Sequence, residues 1–257
     1  AVITFNETLS INLTTIFNES IIIDYLSSFM KIITLLAAFV VLLISSNYLR
    51  TFKIFKIEYP ILILSSVLGM MIMISSNDLI VFYMGLELQS LGLYVLATFN
   101  RDQLKSSEAG LKYFVLSALS SGLLLYGCSL IYGFTGSTNF DFISTQFNTN
   151  EYALTFGIVF VLVGLAFKIS AVPFHMWAPD VYEGSPTSVT LFFTMVPKIA
   201  ALTVFIRFLY VPFLNLIDQW QMILVFLSIA SMLFGAIAAI GQNNLKRLIA
   251  YSSISHI

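Results

Sequence analysis

The chain has 257 residues, of which 58% are hydrophobic and only 10% are charged, and its mean hydropathy is +0.93. Soluble domains carry about 25% charged residues, so this composition excludes a soluble fold and predicts a protein surrounded largely by lipid. The formal net charge of −1 excludes a basic surface of the kind that binds nucleic acid, and the single cysteine, Cys128, excludes a disulfide framework or a cysteine metal site within the chain.

Apolar runs recur along the sequence at lengths that suit membrane helices, which need about 20 residues each. They predict seven spans and the start of an eighth, at 25–48, 57–75, 78–99, 108–134, 152–182, 186–211, 219–241 and from Asn244 onward. The predicted fold class is an all-α, polytopic membrane helix bundle. Residues 1–24 are predicted to form a polar segment outside the membrane, and 25–56 a leading helix with a basic loop.

The basic residues predict the orientation of these spans. They cluster after the first, third and seventh spans, at Arg50, Lys53, Lys56, Arg101, Lys105, Lys246 and Arg247. By the positive-inside rule these loops face the matrix or cytoplasm, and the N-terminus lies on the other side.

The run 152–182 is too long for one straight span. Pro173 removes a backbone donor and disfavours helical geometry at Val172. We therefore expect two half-helices, 152–169 and 173–182, joined by an irregular turn at membrane depth. Such a turn is tolerated only where it is buried in protein or lines a wet cavity.

Three ionisable residues, Glu87, Lys168 and Lys198, lie near the centres of predicted spans. A charge placed there costs about 2.5–3.5 kcal/mol on insertion scales. A static salt bridge between helices is one interpretation, but Glu87 can neutralise only one of the two lysines. Burial disfavours the ammonium form of a lysine and a nearby carboxylate favours it, so a moving carboxylate can make a buried lysine bind or release a proton. The three residues therefore predict a proton relay.

Two further residues are candidates for the same relay. His175 lies two residues beyond Pro173 on the second half-helix, and the alternative is a satisfied helix residue beside Trp177. Lys112 lies about one turn inside the basic side of its span, where the alternative is a side chain that extends to the interface.

Other charged residues receive structural interpretations. Arg207 is expected to extend to the outer interface. Asp180 and Glu183 are expected to cap the loop and the start of the helix at 186–211. The sequence contains no metal constellation, no phosphate-binding loop and no nucleophile–base pair that would indicate other chemistry.

A repeat with an offset of 166 residues relates 63–79 to 229–245. The identical residues are Ile63, Ser65, Gly69, Ile74, Asn77 and Leu79, each with its counterpart. The two segments would cross the membrane in opposite directions, which is the arrangement of an inverted-repeat transporter. Residues 57–211 would form one complete five-helix repeat, and 212–257 the start of a second.

Four motifs, YMGLELQSL, GLAFKISAVPFHMWAPDVYEGSPTSV, PKIA and LKRLIAYSSISH, closely resemble the NADH dehydrogenase subunit 2 family. These are antiporter-like membrane-arm subunits of respiratory complex I, related to Mrp-type Na⁺/H⁺ antiporters, and the resemblance covers about residues 20–257. It implies two inverted five-helix repeats, each with a broken helix. Glu87 matches the family's essential glutamate, Lys168 the lysine of the first broken helix and Lys198 the lysine of the next helix, while His175 falls in the PFH motif.

The resemblance implies the N-terminal part of a proton-translocating subunit of mitochondrial NADH:ubiquinone oxidoreductase. The chain would lie in the inner membrane, with its N-terminus in the intermembrane space. It would hold no cofactor, because NAD, FMN, the Fe–S clusters and ubiquinone belong to other subunits. Expected partners are other membrane-arm subunits and lipids, but not nucleic acid.

The sequence departs from the family by lacking two leading helices and most of the second repeat. We expect a second polypeptide to supply the C-terminal helices, unless the sequence is a fragment. Two alternative functions remain open. One is a stand-alone antiporter that exchanges Na⁺ or K⁺ for H⁺, and the other is a structural membrane-arm subunit without transport.

Overall fold

The computed structural model describes residues 14–146 and 151–256 as a helix bundle that carries one two-stranded hairpin. The antiparallel strands are β1 (Thr14–Ile16) and β2 (Ile21–Ile23). The helices are α1 (Tyr25–Thr51), α2 (Glu58–Ile74), α3 (Leu79–Ala97), α4 (Leu104–Thr135), α5 (Phe140–Ile143), α6 (Glu151–Ile169), α7 (Trp177–Gly184), α8 (Thr187–Tyr210), α9 (Ile217–Ile240) and α10 (Leu245–Ser255). A 3₁₀ turn, Leu214–Leu216, leads into α9.

The predicted spans agree with the observed helices. Among the described residues, six helices are long and apolar enough to cross a membrane, namely α1, α3, α4, α6, α8 and α9. Helix α2 is equally apolar but has only 17 residues. Helix α4 begins at Leu104 rather than at 108. Most of the surface of α9 is uncovered, with Phe226, Leu233 and Ile237 among its exposed side chains.

One end of the bundle is covered by folded backbone from the predicted polar segment. The β2 amide of Ile22 donates to the Ser75 carbonyl at 2.9 Å, and the Asn77 amide donates to the Ser20 carbonyl at 2.9 Å. The amide of Phe140 donates in turn to the Asn77 carbonyl. Residues 14–23 of the predicted polar segment therefore form the hairpin, while residues 1–13 lie outside the described residues.

The sequence repeat corresponds to two helical hairpins with equivalent caps. Asp78 caps α3 by accepting a hydrogen bond from the Ile80 amide at 2.7 Å. Asn244 caps α10 by accepting one from the Lys246 amide at 3.0 Å. Both pairs follow the 166-residue offset, so the same local capping begins the second helix of each hairpin.

The same offset relates two close contacts between helices. A Cβ atom on Gly69 would lie 2.4 Å from the Gln89 nitrogen, where α2 packs on α3. A Cβ atom on Gly235 would lie 2.8 Å from the Ser255 nitrogen, where α9 packs on α10. In lipid, helices associate through close packing of small residues, so these glycines set the geometry of each hairpin.

The predicted helix break is present and is longer than expected. Helix α6 ends in a Schellman motif, in which Ser170 has φ +63° and its amide donates to the Phe167 carbonyl at 3.1 Å. The Ala171 amide donates to the Ala166 carbonyl at 2.9 Å. The helix therefore stops before Pro173, and α7 begins only at 177 instead of at the predicted 173.

Polar backbone at the break is hydrogen-bonded to other parts of the protein, although Pro173 and Met176 are exposed. The Val172 amide donates to Ser231 Oγ of α9 at 3.3 Å. The indole Nε1 of Trp177 donates to the Phe167 carbonyl at 2.9 Å, which spans the break from α7 to α6. Protein groups thus satisfy backbone atoms that lipid could not.

Replacing Gly69 by Ala should destabilise the protein by about 1–3 kcal/mol, because the added methyl group must push α3 away. The control is Gly122→Ala on α4, where a Cβ atom meets nothing within 4 Å and the helical backbone should gain roughly 0.5–1 kcal/mol. Thermal unfolding in detergent measures both. Equal melting temperatures for the two variants would contradict the close approach at Gly69.

Candidate functional site

Lys168 lies in the last turn of α6, immediately before the helix break, and its side chain is buried. Its Nζ atom donates to Ser90 Oγ of α3 at 2.6 Å and to Ser117 Oγ of α4 at 2.7 Å. It also lies 6.0 Å from the ring centre of Tyr94. Three helices therefore converge on one ammonium group.

Glu87 lies on α3 one helical turn before Ser90, and its side chain is half-buried. Its Oε1 atom is buried and has no hydrogen-bond partner among the described residues. Within 14–146 and 151–256, no carboxylate oxygen lies within 4.0 Å of Lys168 Nζ. The expected ion pair between Glu87 and Lys168 is therefore not in direct contact in this structure.

Lys198 follows Pro197 on α8 and is equally buried. Its Nζ atom donates to the Ser253 carbonyl of α10 at 3.4 Å. Ser253 occupies the position in the second hairpin that Glu87 occupies in the first, according to the 166-residue offset. The second lysine therefore faces a neutral carbonyl group where the repeat would place a carboxylate.

His175 lies in the turn before α7 and not on the second half-helix, which corrects the sequence expectation. The side chain is buried, and its ring centre lies 4.5 Å from that of Phe234 on α9. Its Nδ1 atom has no hydrogen-bond partner in the described part of the chain. The role of His175 in a relay stays a prediction.

Lys112 extends toward the basic side and forms ion pairs there. Its Nζ atom lies 2.8 Å from Glu108 Oε1 and 2.8 Å from Asp180 Oδ2. Arg247 also pairs with Asp180, and a cavity of about 240 Å³ lies between these groups. This geometry favours the interfacial alternative for Lys112.

The capping role expected for Asp180 and Glu183 is wrong. Glu183 pairs with Lys105 at 3.0 Å and also with Arg247, while Asp180 pairs as described above. No side-chain hydrogen bond caps α8, whose N-cap residue is Pro186. Both carboxylates instead attach α7 to α4 and α10 at the end of the bundle that carries the basic loops.

The expectation for Arg207 is also wrong. Its side chain is 4% exposed, and its Nη2 atom donates to both carboxylate oxygens of Asp24, at 2.7 and 2.9 Å. Asp24 is the N-cap of α1 and accepts from the Ser27 amide at 2.8 Å. Burial alone would raise the pKa of Asp24, but the Arg207 charge and these hydrogen bonds outweigh it and hold the pKa below its usual value.

The residues that sequence reasoning missed are the partners of Lys168 and Arg207. Ser90 could have been identified from the sequence, because it follows Glu87 by three residues and lies on the same helix face. Ser117 and Asp24 carry no such signal, since they belong to distant helices. Among the residues that the structure describes, no group of three or more His, Cys, Asp or Glu side chains could hold a metal ion.

A family model described as "NADH:quinone oxidoreductase/Mrp antiporter, TM" matches residues 76–257. NADH-quinone oxidoreductase subunit N of Pelagibacter ubique is 76% identical over 256 residues, which are 100% of this chain and 54% of that protein. The protein of the same name in Parvibaculum lavamentivorans is 57% identical over 243 residues, 94% of this chain and 50% of the relative. The chain thus spans about half the length of the curated relatives that it matches.

Solved structures give the same result. A chain of respiratory complex I from Thermus thermophilus superposes with a TM-score of 0.80 at 32% identity, covering 99% of this chain and 54% of that one. A chain of the Mrp complex from a Dietzia species superposes with a TM-score of 0.84 over 99% of this chain and 49% of that one. The second pair is only 21% identical, so it shows a shared fold alone.

The Asp24–Arg207 pair should make stability depend on pH. Because the folded-state pKa of Asp24 is lowered, the pair contributes stability above the ordinary aspartate value of about 4 and loses it as the pH falls through the lower folded value. Asp24→Asn should cost roughly 1–3 kcal/mol, less than a fully buried pair, because Asp24 is 26% exposed. Thermal unfolding in detergent between neutral and acid pH measures this.

The control is Glu108→Gln, which removes a 61% exposed carboxylate that pairs with Lys112. Such a surface pair contributes about 0–1 kcal/mol, so the control should unfold nearly like the parent. If Asp24→Asn lost no more stability at neutral pH than Glu108→Gln, the buried pair would not have the role assigned to it.

Proposed function

Because the chain belongs to the NADH:quinone oxidoreductase/Mrp antiporter family, we propose that it is a proton-translocating membrane-arm subunit of an NADH–quinone oxidoreductase. The observation that carries the proposal is Lys168, a buried lysine at a helix break whose direct partners are two neutral hydroxyl groups. A lysine without a contacting carboxylate can exist in charged and neutral forms, which a proton carrier needs.

The mechanism uses the position of Glu87 to control Lys168. While the carboxylate is near, its negative charge favours the ammonium form. When a neighbouring charge draws Glu87 away, the ammonium form loses this stabilisation and releases its proton toward Lys198. His175 and ordered water are the proposed intermediates. The separation of the two charged groups in this structure supports a pair that opens and closes.

The chemistry that drives the movement would lie elsewhere in the complex. We propose that NAD, FMN, the Fe–S clusters and the quinone bind other subunits, and that this chain contributes only proton transfer. Other membrane-arm subunits and lipids are the proposed partners. The uncovered face of α9 supports additional helices packed there, either later in the same polypeptide or in a second one.

The family and the charges of the chain support a proposal for its location. We propose that the basic loops face the cytoplasm or matrix and that the β1–β2 hairpin lies on the opposite side, an orientation that the positive-inside rule supports. The mitochondrial inner membrane was the sequence expectation, but the relatives reported above are bacterial, which favours a bacterial energy-converting membrane. Fractionation of the source cells decides between the two.

The structural alternative requires Glu87 and Lys168 to bind helices together as a static ion pair. The serine contacts of Lys168 do not support it, because removing the distant carboxylate would leave those hydrogen bonds in place. The antiporter alternative uses the same buried residues and differs in needing no redox partner, so it is left to experiment.

Replacing Lys168 by Met should abolish most proton transfer through this subunit. A positioned proton carrier contributes on the order of 10²–10⁴ in rate, so transfer should slow by at least about 100-fold. The measurement is the ratio of protons pumped to NADH oxidised in membrane vesicles that contain the assembled complex. Lys56→Met, in an exposed basic loop, is the matched control and should pump normally.

Three outcomes separate the proposal from its alternatives. An unchanged pumping ratio in Lys168→Met would refute the relay. Normal assembly and pumping in the double variant Glu87→Gln/Lys168→Met would establish the structural alternative. Exchange of Na⁺ or K⁺ for protons by the isolated chain in liposomes would establish the antiporter.

A further inference from the structure

The direct environment of Lys168 consists of hydroxyl groups that the sequence did not single out. Ser90 and Ser117 are both 0% exposed, and each accepts a hydrogen bond from Nζ. The Tyr94 hydroxyl donates to Ser117 Oγ at 2.6 Å. These contacts join α3, α4 and α6 into one buried network around the lysine.

The two serines differ in what their own hydrogens do. Ser90 Oγ donates to the Leu86 carbonyl at 2.7 Å, so its hydrogen is already used within α3. Ser117 Oγ accepts from both Lys168 and Tyr94, which fills the two acceptor positions of a hydroxyl. Within the part of the chain that the structure describes, no backbone carbonyl receives the Ser117 hydrogen, so this hydroxyl keeps a free donor.

A lysine needs different partners in its two protonation states. The ammonium group has three donors and no acceptor, whereas the neutral amine has a lone pair that accepts a hydrogen bond. Lys168 is buried, so the lone pair of its neutral amine would be left unsatisfied if no protein group donated a hydrogen bond to it. Ser117 can supply that donor by rotating its O–H bond, and Ser90 cannot do so without breaking its bond to Leu86.

We propose that Ser90, Ser117 and Tyr94 are positioning residues for the proton relay. They hold the Lys168 ammonium group, and the Ser117 hydroxyl reverses its hydrogen bond to Nζ when the proton leaves. In that step one N–H bond breaks, its electron pair stays on nitrogen, and the proton passes to a water molecule on its way to the next relay group. The Tyr94 hydroxyl fixes the Ser117 oxygen in both states. This inference rests on the function proposed above.

The test is Ser117→Ala in the assembled complex, with the pH dependence of proton pumping as the measurement. The variant removes one acceptor of the ammonium group and the free hydroxyl donor that Ser117 offers to the amine. A hydrogen bond to the charged ammonium group is stronger than one to the neutral amine, so the variant destabilises the charged form of Lys168 more than the neutral form. The alkaline limb of the pH profile should therefore move to lower pH by about one unit. Ser117→Thr keeps a hydroxyl at this position and should restore the parent profile.

Two further variants complete the design. Ser120→Ala is the matched control, because Ser120 is buried on the same helix and bonds to the Gly164 carbonyl rather than to Lys168. It should leave the pH profile unchanged. Tyr94→Phe keeps the ring but removes its donor to Ser117, and it should move the alkaline limb in the same direction by a smaller amount. If Ser117→Ala does not assemble, Tyr94→Phe decides the question with the same measurement.

The outcomes distinguish this inference from the function on which it rests. If Lys168→Met loses pumping while Ser117→Ala and Tyr94→Phe keep the parent pH profile, the positioning role is overturned and the relay stands. If Lys168→Met pumps normally, the relay itself fails. A profile shifted in Ser117→Ala and restored in Ser117→Thr supports both.

Discussion

A polar group inside the membrane needs a protein partner, and the rest of the bundle is arranged around that requirement. The broken helix is the clearest case, since its free amide at Val172 is satisfied by the Ser231 hydroxyl of α9. The break therefore depends on a helix that belongs, by the repeat, to the second half of the fold. Lys168 lies at the end of the same broken helix, so α9 indirectly fixes the position of the lysine as well.

Close helix packing makes this arrangement possible. Glycines at the α2–α3 and α9–α10 contacts bring backbones together, and serines satisfy their hydroxyls within their own helices or on a neighbour. Ser90, Ser117 and Lys168 are all buried where α3, α4 and α6 meet. A charge in that space is therefore governed by the few groups within hydrogen-bond distance and by Glu87 nearby.

The helices and the break were predictable because they follow from local sequence. The lengths of the apolar runs predicted the membrane-spanning helices, and Pro173 predicted the position of the helix break to within a few residues. The three buried charges were identified for the same reason, since a charge in an apolar run is visible without a structure. The partners were not, because contacts such as Arg207 with Asp24 join residues 183 positions apart and leave no local pattern. Arg207 was misread because a basic residue one turn from a helix end also fits an exposed side chain.

The repeat gives the two buried lysines unequal surroundings, and this inequality bears on the direction of transfer. Lys168 has two hydroxyl acceptors and the field of Glu87, whereas Lys198 has one carbonyl oxygen at 3.4 Å, at the position where the first hairpin carries its carboxylate. An ammonium group is therefore held more strongly at Lys168 than at Lys198 while Glu87 is near. In the proposed relay, a proton would move from the first lysine to the second only after that advantage is removed. Displacement of Glu87 would remove the Coulombic part of the stabilisation of the ammonium form at Lys168. The hydrogen bonds to the two serines would remain, because they lie within the bundle.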